Sequence, residues 1–230
     1  MNQAFSAAPG AAPAKLMQYL SHAGAPVSTD KLPCLAERLS RLFGLGDTMS
    51  LDAAQAHRSR QPGAPQAGTV ENLVKELANT RRILVKRLRE YGHDVEAADK
   101  PGPEPYINAL LTTQRKIAAT TRQLRDKVRK SMKDQGQTLA RLAEMDAVFD
   151  HTMASYTGQC FAQIPKVLEQ RFQSLRSSFE QDSGSEANPE NWLHRYCEEA
   201  QNLLLAELDV RLEPILGLLE ACHNEVSHTQ

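Results

Sequence analysis

Val70, Leu77, Leu84 and Tyr91 stand seven residues apart, with Leu73, Val74 and Leu88 between them at helical offsets. That period keeps an apolar stripe on one side of an α-helix. It cannot keep one on a β-strand, whose side chains change face at every residue. The pattern recurs three times. Ile107, Leu110, Ile117, Leu124, Val128 and Met132 form a second stripe, interrupted by polar Gln114 and Thr121. A third passes through Leu139, Leu142, Met145, Phe149, Met153, Tyr156, Cys160, Ile164, Leu168, Leu175 and Phe179, and a fourth runs from Trp192 and Tyr196 to Leu219 and Cys222. An aromatic share of 5% is low for sandwiches or barrels, and no segment reads as a strand. The expected fold is all-α: a long antiparallel bundle of coiled-coil-like hairpins with a small N-terminal helical cluster. Leu84, Leu124, Phe149 and Leu208, each in the middle of its helix, are expected in the core.

Glycine, proline and capping residues divide the chain. Residues 1–13, rich in Ala, Pro, Gly and Ser, read as a disordered tail. Residues 14–57 form the small cluster. Leu16, Met17 and Leu20 mark its first helix. Leu32, Leu35, Leu39, Leu42 and Phe43 mark a second, stopped by Gly44 and Gly46, and a third spans Thr48 to His57. Gly44-Leu45-Gly46 reads as a helix C-cap. Residues 58–68 are a Pro/Gly linker and the expected site of proteolysis. The bundle occupies 69–224, with Thr69 as the first cap and 225–230 as a tail. Pro101, Pro103 and Pro105 force a loop, and Gly136 marks a break or a bend. Pro165 is expected to kink a third helix of about 40 residues without ending it, and Pro214 to bend the last.

Charge is nearly balanced, 27 Lys and Arg against 28 Asp and Glu, but unevenly placed. Residues 69–133 carry 15 basic and 8 acidic side chains, whereas 181–230 carry 2 and 10. The two can pair within the fold or face different partners. The densest basic stretch supplies the candidate interaction face: Arg115, Lys116, Arg122, Arg125, Arg129, Lys130 and Lys133. Such a helix can neutralise phosphates or approach an anionic membrane surface. It lacks the interleaved aromatics on which single-strand binders stack bases, so nucleic acid is the weaker partner.

No catalytic residue, cofactor site or metal site is assigned. The chain has neither a nucleophile elbow nor a phosphate-cradling Gly-rich loop. Glu220/His223 and Glu225/His228 have the one-turn spacing of di-iron bundles, but both pairs crowd one helix end. Cys34, Cys160, Cys197 and Cys222 are far apart in sequence and fit free thiols in the cytoplasm. No apolar run is long enough to cross a bilayer, and no secretory signal is expected.

Three blocks carry a family resemblance. Leu204–Ala221, Arg38–Phe43 leading into Asp47–Leu51, and Leu139–Val148 resemble segments of a proteobacterial domain-of-unknown-function family (number 3348). The resemblance implies no known activity. It does imply genomic company with inner-membrane proton-channel proteins of the MotA/TolQ/ExbB type and OmpA-like proteins. The expected function is therefore a non-enzymatic cytosolic helical scaffold or adaptor, able to oligomerise and accessory to such an envelope complex at the inner-membrane periphery. The alternatives are a nucleic-acid-binding protein using the basic 115–133 face and, more remotely, a helical metalloprotein.

Overall fold

The computed structural model describes residues 11–23, 41–58, 63, 66–93, 102–181 and 190–229. Among these residues the chain is all-α: α1 (Ala11–His22), α2 (Leu45–Gln55), α3 (Ala67–Arg89), α4 (Glu104–Lys133), α5 (Gln137–Phe161), α6 (Gln163–Gln181) and α7 (Glu190–Thr229). Most of the expected second helix, residues 31–40, lies outside the described residues, as does most of the 58–68 linker.

Several expected boundaries shift. Helix α1 starts at Ala11, inside the segment read as a tail, because Ala is the residue that loses least on entering a helix. Gly44 is the N-cap of α2 rather than a C-cap: its φ is −84°, its carbonyl accepts the Thr48 N–H, and its N–H donates to the Asp47 carboxylate. Gly46 lies inside α2. Helix α3 begins at Ala67, where the Gln66 carbonyl accepts the N–H groups of Thr69 and Val70, so Thr69 is not the cap. At the other end, α7 continues to Thr229, past the start of the expected tail.

The long third helix is two helices. Gly136, with φ of +120°, turns α4 into α5, a conformation that glycine takes without a Cβ clash. The stripe expected to run on through Pro165 instead breaks at Ala162, and Pro165 is the third residue of α6. Proline is at home in a first turn, where its missing N–H would have no helical partner. The break leaves the Phe161 carbonyl without the helical donor that residue 165 would otherwise supply. Pro214, by contrast, is carried inside α7.

The described chain forms two compact units. The first takes residues 1–27, 80–120 and 160–212, and its core includes Leu88, Leu110, Ile164, Phe172, Tyr196 and Leu208. Four aromatic rings pack edge to face at its centre. Phe172 lies 5.1 Å from both Trp192 and Tyr196, and Tyr106 lies 5.7 Å from Tyr196. The second unit takes residues 28–79, 121–159 and 213–230, with Val70, Leu77, Val128, Met132, Leu139 and Ile215 in its core. Leu84, Leu124 and Leu208 are buried as expected, but Phe149 is 38% exposed.

Candidate interaction surface

The seven basic residues of the candidate face do not act alike. Arg125 and Arg129, only 15% and 11% exposed, turn from α4 toward α5. Arg125 donates to Asp146 at 2.6 and 2.9 Å and to Asp150 at 2.6 Å. Arg129 donates to the same two carboxylates, and to Asp126 one turn back. Two guanidiniums thus share two carboxylates across one hairpin. Charge-assisted, forked bonds of this kind fix geometry as well as adding attraction. Lys133 pairs with Glu144 at 2.6 Å, and Lys127 with Glu76 at 2.6 Å. Arg115, Lys116, Arg122 and Lys130 are exposed. The basic stretch is therefore partly the fastening of the α4–α5 hairpin, and its partners come mainly from 134–180 rather than from the acidic C-terminal segment.

Helix α2 is fastened along α5 in the same unit. Phe43 stands edge-on to Phe149 at 5.2 Å, and Thr152 donates to Asp47 at 2.8 Å. Further along, the His57 carbonyl accepts from Gln137 and from Arg141. The Asp47 carboxyl sits below its ordinary value because the Gly44 N–H and the Thr152 hydroxyl both donate to it. These contacts leave several large apolar side chains exposed. Leu45 and Met49 on α2 are 80% and 66% exposed, and Phe149 and Tyr156 on α5 are 38% exposed. Met153 lies between the last two and is half-buried. Residues 149, 153 and 156 follow at helical offsets, as do 45 and 49, so each helix presents an apolar ridge.

The first unit offers different chemistry. A shallow groove of about 190 Å³ is lined by Leu84, Arg87, Leu88, Thr112, Thr113, Lys116 and Ile117. It has two cations and no carboxylate, imidazole or thiol to move a proton near neutral pH. Burial pushes the Cys197 thiol, and that of Cys222 in the second unit, up to about 11, which keeps both protonated and poorly nucleophilic. Gly92, at φ of +90°, makes room for Cys197, since a Cβ there would lie 2.6 Å from its Sγ. Glu220 and His223 are exposed on α7, and the described residues contain no group of three His, Cys, Asp or Glu that could hold a metal ion. No helix of the described residues is long and apolar enough to cross a membrane.

Sequence reasoning missed the buried polar centre of the first unit. Glu207 is fully buried, and burial holds its carboxyl above the ordinary value despite hydrogen bonds from Arg211 and Gln114. The Glu207–Arg211 spacing was visible as a helical pair, and Gln114 as a gap in a stripe. That they meet across 93 residues was not.

No curated protein and no solved structure matches the chain. The family described as "Protein of unknown function (DUF3348)" matches residues 1–224, nearly its whole length, and the chain belongs to that family.

Proposed function

We propose that the chain is a non-enzymatic helical scaffold that receives an amphipathic helix of another protein on the apolar ridges of α2 and α5. The observation that carries this reading is the exposure of Leu45, Met49, Phe149 and Tyr156 in a unit that buries Val70, Leu77, Val128, Met132 and Leu139. Helix-in-groove recognition uses side chains at such offsets, and methionine and aromatic side chains adapt well to an incoming apolar face. The genomic company implied by the family resemblance supports a place for that partner in an inner-membrane proton-channel-type envelope complex, with this chain on its cytosolic side.

A photo-crosslinking amino acid at Met49, Phe149 or Tyr156, with Lys86 as the control site, tests this in the native cell. The expected result is one membrane-fraction partner captured from the three ridge positions and not from Lys86. Phe149→Glu and Met49→Glu should abolish the capture. Because the contact is apolar, it should survive about 1 M salt, where the Debye length falls to ~3 Å. Equal capture from Lys86, or none from the ridges, overturns the reading. Capture of a second copy of the chain replaces the adaptor with self-association.

The rival is a nucleic-acid face built from the exposed Arg115, Lys116, Arg122 and Lys130. Its test is glutamate at these four positions. Glutamate at Arg125 or Arg129 would set like charges against Asp146 and Asp150 and damage the hairpin instead. Salt-sensitive binding to bare DNA that disappears in the four-site variant would favour the rival.

A further inference from the structure

The fully buried Glu207 sits where the α5–α6 elbow is held. Its Oε2 accepts from Gln114 Nε2 at 2.7 Å, and its Oε1 accepts from Arg211 at 2.8 Å. The same Gln114 Nε2 also donates at 3.3 Å to the carbonyl of Phe161, the last residue of α5, which the break at Ala162 leaves without a helical donor. The Arg211 guanidinium lies 4.0 Å from the centre of the Phe161 ring. The last residue of α5 is thus held twice, by its carbonyl through Gln114 and by its ring through Arg211. Both holders are oriented by one carboxylate.

We propose that Glu207 is a proton-binding site operating a latch on this elbow, closed when the carboxylate is ionised and released when it takes up a proton. The chemistry follows from donor and acceptor counts. Both oxygens already face donors, so a proton added to either one meets another donor. A proton on Oε2 is accommodated by a flip of the Gln114 amide, which presents its own Oε1 to accept it. The flip carries Nε2 away from the Phe161 carbonyl. A proton on Oε1 displaces Arg211 from its bond and removes the charge that holds it over the ring. Either way one hold on Phe161 is lost.

The surroundings leave Glu207 in control. Arg211 is the charged group that acts on it, α4 faces it with neutral Gln114, and α5 contributes the Phe161 carbonyl and ring. Arg81 of α3 is committed to Asp209 at 3.1 Å. Lys166, the first charge of α6, and Lys15 and His22 of α1 are exposed. Burial shifts proton uptake toward neutrality from the ordinary carboxylate range.

The test is an NMR pH titration of the full chain, following the Glu207 carboxyl carbon and the Gln114 side-chain amide, with hydrogen exchange read at the amides of residues 162, 163, 164 and 166. In the wild type both signals should move together, with a midpoint above that of the exposed glutamates. Exchange at the elbow should rise about tenfold on the acid side after correction for intrinsic rates. Arg211→Gln removes the positive charge that favours the ionised form and leaves only the Gln114 hydrogen bond, so the midpoint should move to higher pH. Glu207→Gln should exchange quickly at every pH. A Glu207 midpoint in the exposed range, a Gln114 amide that ignores the titration, or slow pH-independent exchange in Glu207→Gln would each overturn the latch. If Glu207→Gln fails to fold, the wild-type titration and Arg211→Gln decide the matter alone.

Discussion

Helices α5 and α6 both carry apolar stripes, but the protein uses them differently. In the first unit α6 buries Ile164, Val167, Leu168, Phe172 and Leu175, and Phe172 is surrounded by Tyr106, Trp192 and Tyr196. In the second unit α5 buries Leu139, Ala140 and Ala143 near its start, then leaves Phe149 and Tyr156 partly open. What fastens that middle stretch is charge: Asp146 and Asp150 on the α5 side against Arg125 and Arg129. An apolar core fixes α6 by excluded water. A forked ion network fixes α5 beside apolar side chains that stay partly exposed.

The sharpest way to break this contrast is Phe172→Ala. Removing a fully buried ring from four-ring packing should cost about 3–5 kcal/mol, read as a fall in the denaturant midpoint. A loss below about 1 kcal/mol would mean that the first unit is no better packed than the open ridge.

Next in size is Asp146→Ala. It strips two guanidiniums of a shared partner in a site that is only 12% exposed at the carboxylate. The expected cost is about 1–3 kcal/mol, and a double-mutant cycle with Arg129→Ala should show positive coupling. No coupling would leave α5 without the fastening argued for it.

Acid titration gives a smaller effect and separates two carboxylates on α7. Burial works against ionisation of Glu199, but forked bonds from Arg171 and a bond from Arg195 outweigh it and hold its carboxyl below the ordinary 4.5. Its stabilisation is present above 4.5 and lost as pH falls through the lower folded value. Glu207 has the opposite sign. Its folded value is raised, so its contribution is complete below 4.5 and lost as pH rises through the folded value. Glu199→Gln should flatten the acid limb of the stability curve, and Glu207→Gln should remove the decline on the neutral side. The same change of slope in both variants would contradict these assignments.

The helices and their apolar sides were legible because period is a local property, and Gly136 was legible as a break or a bend without deciding between them. Phe149 and Phe172 look alike in a stripe, and only the packing of other segments decides which one is covered. Pro165 marked a disturbance, but the helix breaks before it, and Gln114, 47 residues from Phe161, supplies a donor to the carbonyl at the end of α5. Arg125 and Arg129 read as surface charge because their acceptors lie across a turn, on the next helix. Thr69 has the right chemistry for a cap, yet Gln66 takes the hydrogen bonds three residues earlier. Local chemistry names the candidates; long-range packing chooses among them.

The smallest expected effect is also the one that ties the contrast to function. Phe149→Ala removes a ring that keeps one edge-on neighbour, Phe43, and 38% of its surface. An edge-to-face aromatic pair adds about 0.5–1.5 kcal/mol beyond the area it buries, and Phe149 is only partly buried, so the isolated chain should lose much less stability than with Phe172→Ala. Capture of the partner from the ridge should nevertheless fall by tenfold or more, since aromatic anchors at the centre of an interface carry a large share of its affinity. The two readouts must part company for the proposal to stand. If Phe149→Ala destabilises the free chain as much as Phe172→Ala does, the ridge is ordinary core covered within the protein itself, and no partner is needed to explain it.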